Sequence, residues 1–256
     1  MSKAAQFKKT GYALEKGIFS IGEIKTLENE FDQIVTQLKK SDENINAHWG
    51  SDLTRHIEES DSEVIHTHNI QSYSSIMLNM VQNKTLLNLV AFLIGQDIIL
   101  HHTKLFCKPP KKGSAFPLHQ DWSYFPTQKN SMIAAVVHLS ESTENMGCFR
   151  VVPESHKLGK IKNSDGHSHV PEIHDYYSLE TALPIEAEKG DVLFFHCCTI
   201  HGSMPNTSDH SRKTILIQLY SGKDSILDEN QHTNVQLVLR GWNYQATRES
   251  TGNIKS

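Results

Sequence analysis

The chain has 256 residues and a mass of 29.0 kDa, with 38% hydrophobic and 21% charged residues. That suits one large domain or two small ones with a real core and excludes both a disordered chain and a scaffold dependent on disulfides or metal staples. Twenty-five Lys and Arg against 29 Asp and Glu give a formal charge of -4, which argues against a broad electrostatic grip on nucleic acid.

The N-terminus up to Gly17 has lysines but no apolar core, so it does not read as a secretory leader. The first clear element spans about Ile21 to Leu38. Ser20 and Glu23 form a capping box, and Ile24, Leu27, Phe31, Ile34, Val35 and Leu38 recur at helical spacing. Polar residues from Lys39 to Glu63 predict a loop. Helical propensity returns from Tyr73 to Ile94, where Gly95 suits a left-handed stop. No uninterrupted apolar run approaches the roughly 18 residues of a membrane span, so no membrane partner is expected.

From Ile98 the texture becomes that of strands: Ile98–Phe106, Met132–Leu139, Cys148–Val152, Val192–Cys198 and Thr214–Tyr220, separated by turn signals such as Asn145-Met146-Gly147 and Lys189-Gly190-Asp191. Short punctuated strands predict a sandwich or barrel, with the helices covering one curved sheet. The expectation is one domain over 1–256, mainly β, with a helical cover at about 20–95 and a β core at about 98–222. His156 to Leu183, long, polar and aperiodic, reads as a mobile lid. Cys107, Cys148, Cys197 and Cys198 form no CxxC pair, which favours a reducing, cytoplasmic setting. Oligomeric state leaves no mark in the sequence.

Chemistry concentrates in three strings. In Pro117-Leu118-His119-Gln120-Asp121-Trp122, a strand would place His119 and Asp121 on one side, able to chelate one ion. Gly190-Asp191 opens a buried strand that leads to His201-Gly202-Ser203. Two imidazoles and one carboxylate on a single face are the ligand set of non-haem Fe(II) oxygenases. In Ser211-Arg212-Lys213, a guanidinium can meet a carboxylate with two parallel hydrogen bonds, and Ser203 can add a hydroxyl. Gln120 joins this cofactor-binding set. Trp122, Tyr124 and Phe125 fit either substrate contacts or aromatic core. His138, His196 and the group His167, His169 and His174 read as mostly structural.

In this order the strings resemble the phytanoyl-CoA dioxygenase (PhyH-like) family of Fe(II)/2-oxoglutarate oxygenases. The resemblance runs from about Thr10 to about Trp242 and is densest in Cys107–Pro110, Phe116–Pro126, Gly147–Gly159 and Gly190–Arg212. It implies a double-stranded β-helix, the cupin-like jelly roll, flanked by helices. It further implies His119, Asp121 and His201 as iron ligands, and Arg212 with Ser203 on the distal carboxylate of 2-oxoglutarate, with O2 as second cosubstrate. An intact Asp121 favours hydroxylation over halogenation. The implied activity is oxidation of an unactivated C–H bond in a small molecule, with natural-product tailoring ahead of acyl-CoA or lipid hydroxylation. Lys108, Lys111 and Lys112 keep a nucleotide clamp for CoA open. Two other readings are a catalytically silent metal-binding jelly roll and a zinc hydrolase; the Arg212 anchor and the absence of an HExxH helix count against the latter. Strand alternation lets only one of Arg212 and Lys213 face inward, and the resemblance implies Arg212 inside with Lys213 outside in solvent.

Overall fold

In the computed structural model, residues 3–41, 43, 45–47, 52–161, 170–227 and 232–252 are described. Among these residues, twelve strands lie in two sheets: β1 (Tyr12–Glu15), β2 (Asn46–Ala47), β3 (Val64–His68), β4 (Ile98–Lys108), β5 (Phe116–His119), β6 (Ile133–His138), β7 (Phe149–Val151), β8 (Leu183–Ile185), β9 (Val192–His196), β10 (His201–Ser203), β11 (Arg212–Ser221) and β12 (Leu237–Arg240). The large sheet runs β1-β9-β6-β11-β4-β3-β2, with β12 also on β4, and the small one runs β5-β10-β7-β8. All pairs of named strands are antiparallel.

Alternation along the strands gives the large sheet two chemically different faces. Leu105, Cys107, Ile215, Ile217, Leu219, Val137, Ala135 and Ile133 turn outward into the main core, which α2 (Ile21–Lys40), α3 (Ser75–Val81) and α4 (Lys84–Ile94) close from above. Ala134, Val136, Leu193, Phe195 and Leu216 turn inward and meet Val151 and Ile185 of the small sheet. Two antiparallel sheets packed face to face under a helical cover make the expected jelly roll. The sheet also recruits β1, β2, β3 and β12 from outside 98–222, because edge strands need partners. A short helix, α1 (Lys3–Thr10), precedes β1.

Local signals account for the helices. Ser20 and Glu23 complete the capping box: the Ser20 amide donates to Glu23 Oε2 at 2.8 Å, and the Glu23 amide to Ser20 Oγ at 3.3 Å. The stretch Ser75–Ile94 does reach the length and hydropathy of a membrane span. It is nevertheless two helices: Asn83 caps α4 by accepting from the Leu86 amide at 3.0 Å, and Met77, Val81, Leu86 and Val90 are buried in the core. Gly95 ends α4 at φ 99, ψ 176, an extended positive-φ conformation and not the left-handed helical one expected. The expected lid is anchored on its C-terminal side. Val170, Ile173 of α5 (Pro171–His174), Leu179 and Ala182 pack against Leu118 and Ile200, beneath the strands that carry His119 and His201. His167 and His169 lie outside the described residues.

Candidate metal and cosubstrate site

Register creates the centre of the site. His119 ends β5 and His201 begins β10, and the two are direct partners across the antiparallel pair. Their ring centroids are 4.3 Å apart. Asp121 lies not on the strand, as expected, but at the start of a 3₁₀ turn, Asp121–Ser123, where the Tyr124 and Phe125 amides donate to its carbonyl at 2.9 and 3.0 Å. The turn brings its carboxylate back over the strand end. Asp121 Oδ1 lies 3.6 Å from both His119 Nε2 and His201 Nε2.

Both imidazoles are pinned on the far side. His119 Nδ1 donates to the Pro117 carbonyl at 2.9 Å and His201 Nδ1 to the Thr199 carbonyl at 3.0 Å. A proton on each Nδ1 leaves each Nε2 lone pair facing Asp121, the tautomer a metal requires. Burial, reinforced by His119 and opposed by Asp121, pushes His201 down to about 4. Burial pushes the Asp121 carboxyl up, but the attraction of His201 and His119 and the Gln218 amide outweigh it and hold it below its ordinary value. At neutral pH His201 is therefore a neutral imidazole and Asp121 a carboxylate. Gln218 Nε2 donates to Asp121 Oδ2 at 2.6 Å, leaving Oδ1 for the ion. All three ligand atoms lie within 4.8 Å of one another. Ligands at 2.0–2.2 Å on one face of an ion would sit about 3 Å apart, so the set fits a first-row metal with little movement.

A second cluster lies on the same inner face. Arg212 is buried at the start of β11, opposite Lys108 at the end of β4. The guanidinium stacks over Phe149 at 5.0 Å and Nη1 donates to the Gly147 carbonyl, while Nε is buried without a partner. Gly147 has φ 68, and a Cβ there would meet the Met204 carbonyl at 2.2 Å, so only glycine allows this approach. Lys108 Nζ donates to Ser203 Oγ at 2.7 Å and to the Met204 carbonyl at 2.5 Å. Burial and the neighbouring Arg212 charge push the Lys108 ammonium well down, and burial pushes Arg212 down to about 10. Among the described residues neither side chain has a carboxylate within ion-pair distance, so Lys108 and Arg212 lie buried side by side without an anion.

Lys108 thus lies between the two residues singled out in the sequence, bonded to the Ser203 hydroxyl and opposite Arg212 in the ladder. That location parts Lys108 from Lys111 and Lys112, whose nearness in sequence had left a nucleotide clamp open. Lys111 and Lys112 are exposed and paired with Asp209 and Asp61. Lys213 is outside but not free in solvent, since Nζ bridges Glu28 and Asp32 of α2 at 3.1 and 2.8 Å. Gln120 ties three segments together: its Nε2 donates to the Gly159 and Cys198 carbonyls at 2.9 and 2.7 Å, and its Oε1 accepts from the Ile161 amide at 2.9 Å. Lys108 escaped sequence reasoning because its signal is register: it lies on the same side of β4 as Phe106, Lys104 and His102, and only pairing with β11 reveals which side faces inward.

Comparison with known proteins agrees with this arrangement. A family model described as phytanoyl-CoA dioxygenase (PhyH) matches residues 7–214. The peroxisomal phytanoyl-CoA dioxygenase of Bos taurus is 30% identical over 230 residues, covering 82% of this chain and 65% of the bovine protein, just under two thirds of its length. Among solved structures, the α-ketoglutarate-dependent carbocyclase SnoK from nogalamycin biosynthesis superposes with a TM-score of 0.74 at 19% identity, over 92% of this chain and 88% of SnoK. The epimerase SnoN, solved with Fe3+, α-ketoglutarate and nogalamycin RO, gives 0.73 at 19%, over 93% and 97%. At such identities the two structures speak for the shared jelly-roll fold.

Proposed function

The chain belongs to the phytanoyl-CoA dioxygenase (PhyH) family, and from that premise we propose that it is an Fe(II)- and 2-oxoglutarate-dependent dioxygenase that hydroxylates an unactivated C–H bond of a small molecule. The observation that carries the reading is the pairing of two incomplete sites on one inner face. One is a His119, Asp121 and His201 face ready for a metal; the other is a buried Lys108 and Arg212 pair that lacks an anion. A keto acid with a distal carboxylate is the ligand that completes both.

In this reading His119 Nε2, Asp121 Oδ1 and His201 Nε2 hold the iron. The carbonyls of Pro117 and Thr199 fix the ring tautomers, and Gln218 fixes the carboxylate. Lys108, Ser203 and Arg212 grip the distal carboxylate and so set the orientation of the cosubstrate. Phe149, stacked under Arg212, and Phe195, with its ring centroid 4.1 Å from that of His201, keep water from the site. Bound iron, with O2 and 2-oxoglutarate, supplies the oxidation of C–H to C–OH coupled to release of CO2 and succinate. The protein contributes geometry, a dry pocket and the choice of hydrogen.

Natural-product tailoring ranks ahead of acyl-CoA oxidation, because the three lysines that would have clamped a nucleotide point to different places. Four buried cysteines without a disulfide suit a reducing, cytoplasmic compartment. The test is uncoupled turnover: protein with Fe(II), O2 and 2-oxoglutarate should form succinate, and Asp121→Ala should form none while melting as wild type does. Succinate formation that survives Asp121→Ala would refute the assignment.

A further inference from the structure

A wall of imidazoles stands beside the metal ligands and takes no part in the chemistry above. Residues paired across a ladder project to the same side, so His68 opposite Lys104 and His66 opposite Phe106 join β3 to the inner face of β4. A β-bulge at Gln218/Leu219 interrupts pairing around His101 and His102, and both turn inward, with their Nδ1 atoms 2.7 Å apart. His232 stacks on His102 at 5.6 Å and 13°, and lies 4.8 Å from His68. The wall adjoins the metal site directly. His102 is the register partner of Gln218, which holds Asp121, and the Asp121 charge acts on both Lys104 and His232.

The rings are crowded and neutral. Burial, then Lys104 and His232, push His66 to about 4 and His68 to about 3. Each neutral ring carries one N–H, and of His101 and His102 one gives its N–H to the other while the second keeps an Nε2–H to donate. His68 Nε2 and His102 Nε2 are buried without a hydrogen-bond partner, and His102 is 1% exposed. Orphaned polar atoms of this kind are rare in a folded interior and cost free energy unless a ligand hydrogen-bonds to them. His66, His68, Lys104 and His232 are only half-buried, so the wall is reachable from outside.

We propose that His66, His68, His102, His232 and Lys104 form the binding site for an oxyanion group of the substrate, so that the C–H bond oxidised belongs to a small anionic molecule, a phosphonate or a carboxylate. This rests on the oxygenase reading for the chemistry but not for the binding. One ammonium supplies the charge, and neutral imidazole N–H groups from two strands and from His232 supply directional donors. Held there, the anion would anchor the rest of the substrate across Asp121 and fix which carbon reaches the iron.

The probes are ethylphosphonate, propanoate and the neutral propanamide, titrated calorimetrically into anaerobic protein loaded with Fe(II) and saturating 2-oxoglutarate, so that Arg212 and Lys108 are already occupied. Both anions should bind and propanamide should not. Lys104→Gln and His102→Leu should each weaken the anions at least ~10-fold, the loss expected for one charge-assisted hydrogen bond. The ratio of the two anion affinities separates phosphonyl from carboxyl substrates. Propanamide binding as well as propanoate, or anion affinities unmoved by both substitutions, would overturn the proposal. If 2-oxoglutarate itself leaves no binding signal, the oxygenase reading falls; anion binding that depends on Lys104 would still uphold the wall.

Discussion

Arg212 and Lys213 are neighbours on one strand and live in opposite worlds. Lys213 points outward, where Glu28 and Asp32 of α2 neutralise it and Phe31 lies under its ammonium at 5.9 Å. Arg212 points inward, where burial depresses it and its own charge, after burial, pushes the neighbouring Lys108 down. The outer cation is satisfied by its own chain and serves the fold. The inner pair is left for a ligand to satisfy, because a charge without a partner in a dry interior is costly unless an anion arrives. That difference separates scaffold from site more sharply than burial alone does.

The comparison breaks first at Lys108. Replacing it with Met removes an uncompensated buried charge, so stability without 2-oxoglutarate should rise by about 1–3 kcal/mol in denaturant melts. The same variant should lose most of the stabilisation that 2-oxoglutarate gives the wild type. A variant less stable than wild type, with the ligand-induced gain intact, would mean that Lys108 is already satisfied within the chain.

Asp191 provides a satisfied anion for contrast. Its carboxylate accepts from the Gly17 and Glu188 amides, both at 2.9 Å, and pairs with Lys16 at 3.0 Å, tying the chain after β1 to the turn before β9. Burial would raise this carboxyl, but the Glu188 and Gly17 amides and Lys16 outweigh it and lower it. A depressed carboxyl contributes stability above its unfolded value near 4, and that contribution fades as pH falls through the folded value. Asp191→Ala should therefore cost about 1–2 kcal/mol at pH 7. The gap should narrow on acidification below about pH 4. A constant gap across that range in pH-dependent thermal melts would assign the loss to packing instead.

The smallest effect belongs to Lys213. Its partly exposed ion pairs are worth at most about 1 kcal/mol after solvent screening. Lys213→Ala should lower the melting temperature slightly and leave metal binding untouched; a large loss would show that its hold on α2 matters to the fold.

Much of this was legible in the sequence, and the exceptions share a cause. The capping box at Ser20 follows from local spacing, whereas the inward Arg212 and the grouping of His201 with His119 and Asp121 came from the family resemblance. Asp121 reached its place by another route than the one inferred, since β5 ends at His119 and the turn after it does what strand alternation was expected to do. Lys108, the histidine wall and the Asp191 clamp on Gly17 were hidden because each depends on pairing between distant strands or segments. Periodicity shows that residues share a face; only register shows which face looks inward. Gln120 illustrates the reverse error: adjacency to two ligands suggested cofactor contact, whereas its amide joins three backbone segments.

The most direct test of the central claim is an anaerobic titration of 2-oxoglutarate into the Fe(II) protein, followed by the metal-to-ligand charge-transfer absorption. Wild type and Lys213→Ala should give the band with equal affinity. Arg212→Met should weaken binding at least ~10-fold, because a charge-assisted bond of about 1.5–3 kcal/mol is lost from a buried site. Absence of the band in wild type, or equal affinities in all three proteins, would contradict the account.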